Sequence, residues 1–280
     1  VTTPATPVAL VCGAGEFPLA VAHAVSTSGR KIFLIGIRGV ANPAIARYPH
    51  GWIGMGRLGR LLKLAHGAGA KDIAFVGAVP RPAFSLDFIP DLRFLRLMFG
   101  MLGSGDNRML THFAAAFARE GIAVRGVHEI APGLMLTSGP LGRHAPSPEA
   151  IAAACLGFDV LEALGPYDIG QSAVVADRRV VAVEAAEGTD QMLARVAELR
   201  ASGRLKTDAA RIVFVKAPKR GQDLRLDTPA IGVETVERAR MAGLAGIAIR
   251  AGQVMTPDVA ALIAAADKAG LFILGVGPNA

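Results

Sequence analysis

Asp223 and Asp227 lie in a loop that also carries Lys216, Lys219, Arg220 and Arg225. The loop follows residues 212–215, an apolar, β-branched run that reads as a buried strand. It precedes 233–242, where apolar and charged residues alternate at helical spacing. A strand that delivers both signs of charge into a loop before a helix is a common way to build a site. The same charge density also marks a solvated loop. A second acidic segment holds Glu184, Glu187 and Asp190. If these acids converge, they cost energy unless a cation or a basic partner offsets them. Within it, Gly188-Thr189-Asp190 at a helix start offers backbone N–H groups and a hydroxyl to a phosphate. An ordinary cap by Thr189 or Asp190 accounts for the same residues.

The first half offers anion chemistry of its own. Gly13-Ala14-Gly15-Glu16-Phe17-Pro18 follows a strand at 8–12 and opens a helix at 18–28, the start of a mononucleotide fold. Pro18 stands where the dinucleotide fingerprint has its third glycine, and the second strand, 31–37, runs into Arg38 where a ribose-binding acid would be. A nicotinamide site is therefore disfavoured against a phosphate-facing or interdomain loop. Arg81, in Val79-Pro80-Arg81-Pro82, follows a strand at 72–77 and either binds an anion or decorates a rigid turn. His128-Glu129 follows a strand at 122–127 and is a metal or proton-relay pair, or a hydrogen-bonded structural one. Asp106 reads as the N-cap of a helix running to Arg119.

The elements that must hold these residues alternate between strand and helix. Helices are expected at 58–68, 149–164, 191–199 and 256–269, and strands at 246–249 and 271–276. A hairpin is expected from strands 173–176 and 180–183 joined at Asp177-Arg178. Residues 131–148 change character, with five Pro or Gly between Pro132 and Gly142. The expectation is an α/β chain: an N-terminal Rossmann-like parallel-sheet domain (1–133), a linker (134–148) and a C-terminal mixed α/β domain (149–280). Residues 84–102 are the most aromatic stretch. They form either a groove for acyl chains or a membrane, or a core or dimer-interface helix.

Composition sets outer limits. The 280 residues are 52% hydrophobic and 19% charged, enough for a large core. Two cysteines, Cys12 and Cys155, point to a reducing compartment rather than a disulfide framework. No secretory leader and no membrane-spanning run is expected. The net charge of +7 favours anionic partners. Scattered basic residues with one Trp and two Tyr argue against nucleic acid.

The ordered series of motifs resembles one family over nearly the whole chain. It comprises Gly13-Ala14-Gly15 with Pro18, Arg81-Pro82, Gly105-Asp106, His128-Glu129 and Asp168-Ile169-Gly170-Gln171-Ser172. It continues with Val183-Glu184-Ala185 to Gly188-Thr189-Asp190, Lys216-Ala217-Pro218-Lys219, and Leu226-Asp227 with Pro229 and Gly232. The family is that of the UDP-2,3-diacylglucosamine pyrophosphatases of lipid A biosynthesis, of the LpxI rather than the metallophosphoesterase type. The resemblance implies hydrolysis of a lipid-linked UDP-sugar to UMP and the diacylglucosamine 1-phosphate. It also implies two domains with the ligand between them and the C-terminal one catalytic, magnesium or another divalent cation, a homodimer, and a cytoplasmic enzyme peripheral on the anionic inner membrane. Catalytic roles fall on Asp227, as metal ligand or water activator, and Lys216, as phosphate neutraliser. Gly13, Gly15, Arg81, Gln171, Gly188, Thr189 and Asp190 are expected to bind substrate, and Asp227, Asp223 and Glu187 to hold metal. A non-catalytic nucleotide- or lipid-binding regulator, or a nicotinamide-dependent oxidoreductase, are the alternatives.

Overall fold

The computed structural model describes residues 6–79, 90–101 and 106–277, and their side chains except those of 97–101 and 106–111. Expectations on Arg81, on the Asp106 side chain and on most of 84–102 fall outside the described residues. The chain divides into two compact units, one of residues 1–133 with Asp223–Asp227, the other of Leu134–Gln222 with Thr228–Ala280.

The first unit holds a parallel sheet of five strands in the order β3-β2-β1-β4-β5. These are β1 (Val8–Cys12), β2 (Ile32–Ile37), β3 (His50–Ile53), β4 (Asp72–Val76) and β5 (Ala123–Val124). Strands covered on both faces read as unbroken apolar runs, and VALVC and IFLIGI do so. Helices α1 (Phe17–Thr27), α2 (Leu58–Gly67), α3 (Leu92–Met101), α4 (Asp106–Arg119) and the short α5 (Val127–Ile130) accompany the sheet. Phe117 of α4 is 1% exposed and meets Phe75 of β4 edge-on, with ring centroids 5.6 Å apart. Cys12 ends β1 fully buried, and burial pushes its thiol up to about 12. Cys155, in α6, is exposed.

Two departures have local causes. β3 is only His50–Ile53 and carries Gly51, too weak a pattern to read as a strand. The strand expected at 122–127 stops after Val124 because Glu129 reaches back to accept the Gly126 N–H at 2.7 Å, capping a turn of helix that contains His128.

The second unit holds six strands in the order β6-β11-β10-β9-β7-β8. They are β6 (Gly139–Leu141), β7 (Ser172–Ala176), β8 (Arg179–Val183), β9 (Ile212–Lys216), β10 (Gly246–Arg250) and β11 (Phe272–Val276). β9, β10 and β11 are parallel, while β7, β8 and β6 run antiparallel to their neighbours. The hairpin turns at Asp177, which adopts φ 54°. The stretch 134–148, expected as a linker, lies in this unit and supplies its edge strand β6. Pro140 is tolerated there because an edge strand has one side unpaired.

Period-2 alternation sorts β9 between two cores. Ile212 and Phe214 join a cluster with Met192, Leu193 and Val196 of α7 (Gly188–Ala201) and Leu262 of α9 (Val259–Ala269); α8 (Val233–Met241) adds Val236. Val213 and Val215 face Ala154 and Phe158 of α6 (Pro148–Leu164). The segment Pro148–Tyr167 is long and apolar enough to cross a bilayer by composition. Its small residues instead lie on the sheet: a Cβ on Gly157 would come within 2.5 Å of Val215 Cγ2. A helix apolar on most sides because it lies on a buried sheet passes the same compositional test.

Candidate functional site

The alternation that sends Ile212 and Phe214 toward α7 sends Lys216 there too. Ser172 is the register partner of Lys216 on β7, and Glu184 follows β8 on the face of the core residue Ala182. Three strand ends and the start of α7 therefore converge on one polar cluster. Lys216 is 6% exposed, and its ammonium donates to Thr189 Oγ1 at 2.8 Å and to Ser172 Oγ at 3.2 Å, with Glu184 Oε2 at 3.8 Å. Glu184 accepts from the Ser172 hydroxyl, from Thr189 Oγ1 at 3.1 Å and from the Gln171 N–H at 3.3 Å. One cation, one carboxylate and two hydroxyls thus satisfy one another, which a buried charge pair requires. The Thr189 hydroxyl, expected to face a phosphate, spends its proton on Glu184 and a lone pair on Lys216.

Backbone conformation brings Glu184 and Gln171 together. Gly170 has φ 39°, and a Cβ there would collide with the Glu184 carbonyl. Gln171 extends the network outward. Its amide donates to Gln222 Oε1 at 3.1 Å, which also accepts the Lys219 N–H at 2.9 Å, and the Lys219 ammonium pairs with Asp168.

The acids of 184–190 do not pool their charge. Glu184 faces Lys216, Glu187 pairs with Arg195 at 2.9 Å, and Asp190 pairs with Arg238 at 3.2 Å. Each takes its own basic partner, and that offsets the repulsion their crowding would otherwise cost. Gly188 opens α7 at φ 81° with open space where a side chain would be, and its N–H donates to the Ala185 carbonyl at 3.3 Å.

In the first unit, Gly13 and Gly77 serve close packing. A Cβ on Gly13 would meet the Ala78 carbonyl at 2.6 Å, and one on Gly77 the Ala14 carbonyl at 2.5 Å, so the turns after β1 and β4 lock together. Gly15, at φ 92°, borders open space.

Asp223–Asp227 belongs to this unit, and Leu226 packs on its core cluster. The turn closes through the Asp223 carbonyl, which accepts from the Leu226 N–H at 3.1 Å and the Asp227 N–H at 3.3 Å. Arg225 clamps the Asp223 carboxylate with Nη2 at 2.6 Å and Nε at 2.9 Å. These hydrogen bonds from Arg225, with a smaller contribution from the charge of His128, hold Asp223 below the usual aspartate range. Asp227 itself is exposed at the end of the turn. Nearby, a Cβ on Gly126 would touch both the His128 ring and the Leu224 carbonyl, and His128 Nδ1 is buried without a hydrogen-bond partner among the described residues. Arg125 bonds Asp72 at 2.9 Å and Glu129 at 3.0 Å, and both carboxylates raise its pKa, Asp72 the more.

Magnesium asks for oxygen ligands in near-octahedral geometry. Of the three acids expected to supply them, Asp223 is held by Arg225 and Glu187 by Arg195. Among the described residues no group of three or more His, Cys, Asp or Glu comes together to hold a metal ion. Asp223 and Asp227 lie in the first unit and Glu187 in the second. Sequence reasoning named every charged member of the Lys216 cluster but missed Ser172 as its bridge; the parity of 172, 174 and 176 along β7 carried that signal.

A parallel 3-2-1-4-5 sheet unit and a mixed six-stranded unit carrying a buried lysine cluster define a two-domain α/β protein. Residues 7–134 match the LpxI N-terminal domain and residues 137–274 the LpxI C-terminal domain. The chain belongs to the LpxI family. It is 40% identical over 273 residues to the UDP-2,3-diacylglucosamine pyrophosphatase LpxI of Caulobacter vibrioides, covering 96% of this chain and 97% of that protein. Among solved structures, the biotin carboxylase domain of a thermophilic 2-oxoglutarate carboxylase aligns with 71% of this chain and 42% of its own. At a TM-score of 0.27 and 17% identity that likeness says nothing about this fold or its ligands.

Proposed function

We propose that this chain hydrolyses the pyrophosphate bond of UDP-2,3-diacylglucosamine, releasing UMP and 2,3-diacylglucosamine 1-phosphate in lipid A biosynthesis. The observation that carries the reading is similarity to a pyrophosphatase of that name along almost the full length of both chains. Hydrolysing a phosphoanhydride needs charge neutralisation at the phosphate oxygens, an aligned water and a group that orients or deprotonates it. Asp227, exposed and ionisable, is assigned the water. Lys216 is assigned to positioning: its bonds to Ser172 and Thr189 hold the start of α7 in place. A divalent cation, magnesium first, belongs to the proposal as a requirement of turnover. With Asp223 and Glu187 committed to arginines, oxygens of the substrate's own phosphates would be its principal ligands.

Incubation with UDP-2,3-diacylglucosamine, with magnesium or with a chelator, followed by analysis for UMP, tests the reading. Substrate binding without UMP release would make the chain a regulator, and saturable nicotinamide binding would revive the oxidoreductase. The proposal includes a homodimer, measured by sedimentation equilibrium. It also includes a cytoplasmic enzyme resting on an anionic inner-membrane surface, measured by co-sedimentation with anionic vesicles that weakens as salt rises.

A further inference from the structure

Gln171, expected from the sequence to bind substrate, stands one residue before β7 and gives both its main chain and its side chain to one loop. That loop, 217–222, leaves β9 after Lys216 and ends at Gln222, where the chain continues into the Asp223–Asp227 turn. The Gln171 carbonyl accepts the Ala217 N–H at 3.0 Å, one rung beyond the pairing of Ser172 with Lys216. The Gln171 amide donates to Gln222 Oε1 at 3.1 Å. A single residue therefore holds the first and the last members of the loop.

The donors and acceptors fix which way both amides point. Gln222 Oε1 also accepts the Lys219 N–H at 2.9 Å. A backbone N–H can only donate, so Gln222 must turn its oxygen toward it, and Gln171 must then present its NH2 group. Gln222 also donates its own N–H to the Lys219 carbonyl at 3.0 Å, across a turn in which Gly221 has φ 77°. Residues 219 and 222 are thus joined twice, and Gln171 ties the pair to β7. Its own N–H bonds Glu184 at 3.3 Å, which anchors this staple in the Lys216 cluster. Two further contacts bound the loop: Asp168 pairs with the Lys219 ammonium, and a Cβ on Gly165 would meet the Arg220 nitrogen at 3.0 Å.

We infer that Gln171 is a positioning residue for the proposed hydrolysis. By stapling 217–222 it fixes the point from which the chain enters the turn that carries Asp227. The inference rests on the assignment of the water to Asp227, and it moves Gln171 from binding substrate to holding the loop. A residue that holds the geometry of a reacting group is felt in kcat, whereas a ground-state ligand is felt in KM.

The test follows UMP release and, separately, amide exchange by NMR, both on the full chain. Gln171→Met, similar in length but without the amide, should lower kcat by about tenfold with KM within about threefold. The Lys219 and Gln222 amides should exchange about fivefold faster, while the Ala217 amide, held by main chain, keeps its wild-type rate. Gln222→Met should behave alike, and the double variant should be no worse than either single one. Gln222→Glu keeps an acceptor for both donors and should stay within about threefold of wild type, whereas Gln171→Glu, which sets oxygen against oxygen, should match Gln171→Met. A raised KM in Gln171→Met with kcat and exchange at wild-type values would make Gln171 a substrate ligand and overturn the inference. Wild-type kinetics and exchange in both methionine variants, or additive losses in the double variant, overturn it as well. If the wild type releases no UMP, the hydrolase reading fails, and the exchange rates alone then decide whether the staple exists.

Discussion

The Lys216 cluster and the Asp227 turn hold charge in opposite circumstances. In the second unit, Lys216, Glu184, Ser172 and Thr189 are enclosed and bonded to one another. In the first, Asp227 is exposed at the end of its turn. Charges bonded to one another in a low-dielectric interior specify structure, and removing one partner strands the other. Charges at an exposed edge cost little when deleted and remain accessible to a ligand. Stability and function are therefore expected to separate between the two regions, and substitutions can break that separation.

The largest effect should come from Lys216→Ala, which leaves the half-buried Glu184 without its cation and opens a gap at a buried strand end, and should destabilise the fold by about 2–4 kcal/mol. Urea unfolding measures it, and a wild-type midpoint would mean that the cluster is not structural. Asp227→Ala should do the reverse. UMP release should fall by about 100-fold or more while stability stays within about 0.5 kcal/mol. Near-normal turnover would remove Asp227 from the chemistry.

Gly170→Ala should cost more than about 1 kcal/mol, since it combines a left-handed φ with a clash on the Glu184 carbonyl. Gly188→Ala meets open space and should cost about 1 kcal/mol from backbone conformation alone. Equal costs at the two glycines would show that the approach of 170 to 184 is loose.

A smaller effect concerns acid. The folded-state pKa of Asp223 is depressed, so its contribution is complete above the ordinary aspartate value of about 4 and is lost only as pH falls through the lower folded value. Carboxyl carbon shifts followed by NMR should show a midpoint below that of an unperturbed aspartate, returning toward it in Arg225→Ala. The smallest perturbation is chemical labelling. At neutral pH a thiol reagent should modify exposed Cys155 and spare Cys12, whose pKa of about 12 and burial protect it until unfolding.

Much of the fold was legible because apolar runs and turn chemistry are local. β9 with its following helix, the β7–β8 hairpin at Asp177, and the 8–12 strand with its glycine turn all lie within a residue or two of where periodicity puts them. The losses are local as well. β3 and β6 are short and carry Gly or Pro, and at 126–129 a side-chain cap overrode a strand-like run. The site was legible as residue types and not as partnerships. Glu184, Glu187 and Asp190 looked like one acidic cluster because spacing along the chain does not say that Lys216 of β9 comes up beside Glu184 or that Arg238 of α8 reaches Asp190.

The sequence by itself determined that this is a two-unit α/β chain of the LpxI kind, with its chemistry in strand-end loops, since hydrophobic period and motif order are properties of the chain alone. Tertiary structure decided which charges are free to act. β-sheet register set Ser172 beside Lys216, the start of α7 brought Thr189 onto the ammonium, and α8 brought Arg238 to Asp190. Pairing depends on distances between residues far apart in the chain, and only the packed fold sets those distances.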